Sequence, residues 1–192
     1  MDSEAEVSGH GQENGAFRAA VTILAGAIAI AVAARLTVPL PGTELPQSAQ
    51  TLAVLLVGAA LGMRRGSLAV GTYVLVGALG LPVFADGGRG LETVLGPSGG
   101  YLLGFLVAAA GVGRFADRDE LARPWWRTLL VMLAAHGVIL ALGGLGLVPR
   151  VGVTQAWSSG VAPFLLGGAV KSGIAAVAVW VRWGSRGWVP ER

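Results

Sequence analysis

Six apolar stretches run through this sequence, and none of them contains an aspartate or a glutamate. A segment that crosses the roughly 30 Å hydrocarbon layer must satisfy its backbone polar groups internally, so such a chain has little choice but to pack helices. The stretches read as Arg18 to Val38, Gln50 to Met63, Ser67 to Phe84, Ser98 to Arg114, Trp125 to Val148 and Pro163 to Val181. The expected fold class is therefore an all-α integral membrane protein with six transmembrane helices. Composition agrees: 54% of residues are hydrophobic and 13% charged, with a mean hydropathy of +0.67. Cysteine is absent and histidine occurs only at 10 and 136, which excludes disulfides, iron–sulfur clusters, thiolate metal sites and a multi-histidine metal centre. No cofactor is expected.

The basic balance belongs to topology rather than to nucleic acid. Six spans put both termini on one side, together with Arg18, Arg64, Arg65, Arg114, Arg118, Arg123, Arg127, Arg182, Arg186 and Arg192; Arg89 and Arg150 lie opposite. That asymmetry predicts cytoplasmic termini. Residues 1–15 are polar and acidic and are expected to form a disordered cytoplasmic tail. They lack the basic start and cleavage site of a secretory signal. Residues 16–184 form one membrane domain, and 185–192 a second cytoplasmic tail. Alanines at 25, 29 and 33 follow an i, i+4, i+8 spacing, which makes a smooth ridge for close helix docking or simply reflects an alanine-rich composition.

The most irregular backbone is expected on the outer side. Pro39 to Ser48 reads as an extended proline-rich loop, Pro149 to Ala162 as a loop carrying Trp157, and Gly77 to Tyr101 as a helix end, a glycine-rich turn and a new helix start. Irregular backbone at membrane depth is tolerated where it lines a cavity. Lys171 lies roughly 12 Å below the outer boundary, counting from Pro163. A lysine there calls for Asp86 or Glu92 from the glycine loop, for backbone carbonyls and water, or for an anionic ligand. Asp86 and Arg89 either meet a polar ligand or pair across their turn. Tyr73, Tyr101 and Trp157 offer apolar rings with polar tips, although Trp157 also fits a membrane-interface anchor. Gln50 is either a lid contact or a hydrogen bonder at a helix start. Gly100, Gly104 and Gly111 favour close packing of the fourth span.

Gly96-Pro97-Ser98-Gly99 is similar to the G-x-S-G of rhomboid intramembrane proteases, and Ala135-His136-Gly137 to their histidine helix. A Ser98/His136 dyad would be hydrolytic. The two residues start from opposite membrane faces, on the order of 10 Å apart in depth, and the histidine follows one helix after the serine instead of two. His136 reads better as a buried hydrogen bonder between helices.

A second resemblance covers residues from about Pro39 to Lys171. It rests on Gln50-Thr51-Leu52-Ala53-Val54-Leu55-Leu56 with Leu61-Gly62, on Tyr73 with Gly80-Leu81-Pro82-Val83-Phe84-Ala85, on Gly96-Pro97-Ser98-Gly99-Gly100-Tyr101-Leu102-Leu103-Gly104-Phe105, and on Gly160-Val161 with Pro163-Phe164-Leu165 and Lys171. In this order the segments resemble the BioY family, the biotin-binding S components of energy-coupling factor (ECF) transporters. The resemblance implies a six-helix S-component bundle in a bacterial cytoplasmic membrane that captures biotin from outside beneath a lid formed by the first outer loop. It implies partners as well: a transmembrane coupling subunit docking on Ala25, Ala29 and Ala33, and two cytoplasmic ATPases, since this chain has no phosphate-binding loop. Lys171 would meet the valerate carboxylate. The family often has an aspartate three residues before that lysine and a proline before the glycine, where this chain has Gly168 and Leu166; Asp86 is the candidate substitute. Pantothenate or lipoate would fit the same charge arithmetic.

Overall fold

The computed structural model describes residues 2–38, 47–118, 120, 121 and 124–184, with side chains between 15 and 182. The proline-rich segment 39–46, expected as an outer lid, and the tail 185–192 fall outside that range. Helix α1 spans Asp2–Arg35. It continues through residues 2–15, which were expected to lack structure; Glu4, Ala5, Glu6, Gln12 and Glu13 there carry good helix propensity. Its apolar part begins at Gly15. Strands β1 (Thr37–Val38) and β2 (Gln47–Ser48) pair antiparallel as a two-stranded ribbon. The Ala49 amide closes the ribbon onto the Leu36 carbonyl at 2.9 Å.

Helix α2, Gln50–Ala78, is a hairpin. At Gly62 the backbone takes φ 75° and ψ 179°, a conformation open to glycine and strained for other residues. A Cβ added at Gly66 would lie 3.0 Å from the Gly58 Cα, and Gln50 reaches Tyr73. Residues that far apart along one straight helix could not touch, so the two arms run antiparallel. The turn was expected at Arg64 to Gly66. It falls earlier because Gly62 alone there has positive φ, and because Asp117 at the end of α4 accepts the Met63 amide at 3.0 Å, capping the new arm. The second arm also stops at Ala78 instead of Phe84: Gly80, at φ 106°, ends it ahead of Pro82.

A 3₁₀ turn at Ala85–Gly87 and helix α3, Gly90–Leu95, follow, then α4, Gly99–Ala116. Helix α5, Trp125–Gln155, passes through Pro149 and breaks at Gly152 (φ 80°, ψ 167°). A π-helical turn at Ala156–Val161 leads into α6, Ala162–Gly184. The loop expected from Pro149 to Ala162 is thus helical on both sides of one sharp turn. Pro149 costs one backbone hydrogen bond, and the Arg150 side chain donates to the neighbouring Gly146 carbonyl at 2.9 Å and to Leu95. Contacts of Gly144 with Val161, and of Gly168 with His136, show that this unit also folds back on itself.

Four segments are long and apolar enough to cross a membrane. Two of them turn at Gly62 and Gly152, so the described residues form six helical arms. Helix α4 packs between α2 and α5. Gly58 meets the Ala109 backbone, where a Cβ would lie 2.8 Å from the carbonyl oxygen, and Gly104 meets Ile139 at the same distance from its Cα. Lipid tails are as apolar as leucine, so such backbone-to-backbone packing supplies much of the attraction between arms. Gly111, expected to join this packing, has nothing within 4 Å; Gly113 takes the role, against Gly62 and Met63. Ile30, Leu55, Val70, Val112, Met132, Ile139 and Val179 fill the interior. Val21, Leu24, Ile28 and Val32 on α1, and Leu166, Val170, Ile174 and Val181 on α6, stand exposed on the outside of the bundle.

Candidate binding cavity

A cavity with about 110 Å³ of water-reachable space opens where β2 and the start of α2 meet α4, α5 and α6. Its walls are mostly apolar, with Leu102 and Phe105 from α4, Ile139 and Leu140 from α5, and Phe164 from α6. Phe84, 3% exposed, closes it beneath the glycine loop. That ring lies against Gly77 and meets Tyr73 edge-on with centroids 5.4 Å apart.

Among the described residues, Lys171 is the one formally charged side chain on the wall. Its Nζ donates to the Ser48 carbonyl at 2.6 Å and to the Thr51 hydroxyl at 3.3 Å. These are neutral oxygens, and an ammonium has three donors. The described residues therefore hold the cation without neutralising it, and neither Asp86 nor Glu92 reaches it.

The expected site residues divide into three groups. Gln50, Tyr101 and Lys171 line the cavity. Gln50 is 5% exposed; its amide donates to the Tyr73 hydroxyl and accepts from Ser48 Oγ at 3.1 Å. The Tyr101 hydroxyl donates to the Gly160 carbonyl at 2.5 Å, tying α4 to the π-helical turn, and its ring tilts against Phe164. Tyr73 stands one layer back, 1% exposed. Asp86, Arg89 and Trp157 are exposed and stand apart from the wall, where Ala85 represents the glycine loop. Asp86 and Arg89 form no ion pair with each other. Asp86 has φ 52°, so its place in the tight turn is a backbone matter.

Residues not singled out in the sequence complete the wall: Gln47, Ser48 and Thr93 among them. Gln47 and Ser48 sit in a segment that reads as loop, and only strand pairing with Thr37–Val38 turns them inward. His136 is 4% exposed, and its Nδ1 lies 3.4 Å from the Ser172 hydroxyl. That is the interhelical hydrogen bond expected of it. Ser98 faces the same cavity but makes no hydrogen bond to His136. No group of three histidine, cysteine, aspartate or glutamate side chains that could hold a metal ion occurs among the described residues.

Residues 5–186 match the BioY family model. The chain belongs to the BioY family. Among BioY relatives, the biotin transporter BioY of Thermotoga maritima is 39% identical over 149 residues, covering 77% of this chain and 85% of that protein. The biotin transporter BioY of Rhizobium etli is 32% identical over 165 residues, covering 82% of this chain and 88% of its own length. The crystal structure of an S-component for biotin from an ECF-type ABC transporter superposes with a TM-score of 0.80 at 23% identity, over 91% of this chain and 94% of that one. The BioY chain described here thus has the S-component fold, and with its apolar helices it is a membrane protein.

Proposed function

We propose that this chain captures biotin from outside the cell and serves as the S component of an ECF-type transporter. One observation carries the reading: an apolar cavity whose wall, among the described residues, holds a single formal charge, the Lys171 ammonium, with no described carboxylate paired to it. Biotin has an apolar bicycle, a hydrogen-bonding edge and an anionic tail, and a mostly apolar site with few polar groups is how proteins bind such molecules. The BioY relatives of Thermotoga maritima and Rhizobium etli, named as biotin transporters, support the choice of biotin over pantothenate or lipoate. The reading is of a transporter subunit and not an enzyme; the Ser98/His136 dyad has no support in the family or in the hydrogen bonding.

The six arms are read as six crossings, with both termini in the cytoplasm of a bacterial cell and the cavity facing outward. Arginine placement supports that orientation. A transmembrane coupling subunit and two ATPases are the proposed partners. Ala25 and Ala29 are exposed on α1 and Ala33 is half-buried, while Gly26, Ala27, Ile30 and Ala34 face inward, which leaves the first two positions of the alanine ridge available for docking.

Equilibrium binding of labelled biotin, to the purified chain in detergent and to sealed membrane vesicles of both orientations, tests the proposal. Tight binding to the purified chain and to right-side-out vesicles is expected. Absence of binding in detergent overturns the ligand, and binding confined to inverted vesicles overturns the orientation.

A further inference from the structure

Two polar atoms on the cavity wall make no hydrogen bond among the described residues, and one of them is fully buried. Gln47 Nε2 is buried and unpartnered, although its residue lines the cavity. An amide donor shut away from water without an acceptor is costly, so such groups are nearly always paired. The second atom is His136 Nε2. Ser172, fully buried, donates its one hydroxyl proton to the Met132 carbonyl at 3.3 Å. In the arrangement that keeps this hydrogen bond, its oxygen accepts from His136 Nδ1, 3.4 Å away. In a neutral imidazole that leaves Nε2 as a bare acceptor.

The same step of α6 holds both groups. The Gln47 amide lies on Gly167, and a Cβ at Gly168 would come within 2.8 Å of His136 Nε2. Two successive glycines therefore clear a strip of bare backbone, three and four residues before Lys171, over which a donor from β2 and an acceptor from α5 converge. We propose that Gln47 and His136 are the specificity pair that reads the neutral edge of the ligand: Gln47 Nε2 donates to a ring carbonyl and His136 Nε2 accepts from a ring N–H, while Lys171 holds the carboxylate. The assignment rests on the biotin reading, whose cyclic urea presents a carbonyl flanked by N–H groups.

The test uses biotin and 2-iminobiotin, in which an N–H replaces the ring carbonyl oxygen, on the full chain in detergent. Wild-type protein is expected to prefer biotin. Gln47→Leu lowers biotin affinity by roughly tenfold or more, the usual loss when one hydrogen bond leaves a buried group unpaired, and leaves 2-iminobiotin almost unchanged. Gln47→Glu, which supplies an acceptor, shifts the preference toward 2-iminobiotin. His136→Phe weakens biotin binding, and His136→Gln, which offers an amide oxygen, restores most of it with an unchanged thermal midpoint. Equal losses for both ligands in Gln47→Leu, or no loss of biotin affinity in either Gln47→Leu or His136→Phe, would overturn the pair while leaving the biotin reading intact. Wild-type protein that fails to bind biotin removes the biotin reading, and the pair with it.

Discussion

Lys171 would be a poor residue to place in an apolar bundle if nothing came to meet it. Its two hydrogen bonds go to the Ser48 carbonyl and the Thr51 hydroxyl, which solvate the ammonium without cancelling its charge. A carboxylate added beside it gains charge-assisted hydrogen bonds worth about 1.5–3 kcal/mol. Replacement of Lys171 by alanine should therefore weaken biotin binding by roughly ten- to a hundredfold while changing the affinity for biotin methyl ester far less. Titration of both ligands against both proteins checks this; a variant that still separates acid from ester as the parent does removes Lys171 from the carboxylate. The lysine was visible in the sequence because its depth made it anomalous. Gln47 was not, since a glutamine next to a proline-rich segment carries no signal until the ribbon directs it inward.

Glycines decide the elements. Gly62 makes one helix into two arms, and Asp117 caps the second arm only because no side chain at 62 occupies its place. Gly62→Ala should therefore strain the backbone and collide with the Asp117 carboxylate, at a cost of about 1–3 kcal/mol. A drop of several degrees in the thermal midpoint in detergent is the expected result, roughly. Gly111→Ala is the internal control, because nothing lies within 4 Å of that position; equal midpoints for the two variants would show that the turn at Gly62 does not depend on glycine. Apolar runs and prolines located the elements in the sequence, but not where they turn. Arg64 and Arg65 are natural markers of a membrane boundary, and the backbone reverses just before them, where φ can become positive. Pro149 misled in the opposite direction, because a helix end at a membrane surface can absorb one lost hydrogen bond when a guanidinium stands nearby.

At the scale of the whole molecule, the cavity and the proposed docking face lie on different parts of the bundle. Ala25 and Ala29 are exposed on α1, whose opposite face packs on α2 through Gly26 against Ala69, Leu61 and Val57. Neither face of that helix belongs to the cavity wall. Ala29→Leu should consequently bind biotin like the parent yet fail to co-purify with the coupling subunit, because close helix docking tolerates small side chains and not a leucine. Retained co-purification together with normal uptake would remove the ridge from the interface.

The amino-acid sequence alone determined that this chain is a helical membrane protein, which apolar stretches of roughly spanning length are, and which of its cations lies too deep to be a surface charge. Both follow from local composition and from the cost of bare polar groups in lipid. The convergence of Gln47, Thr51, His136 and Lys171 on one cavity was decided only by tertiary structure. These residues are distant in sequence and lie on four different elements. What brings them together is a ribbon pairing, two glycine turns and the bare backbone of Gly167 and Gly168, whose effect depends on what is packed opposite.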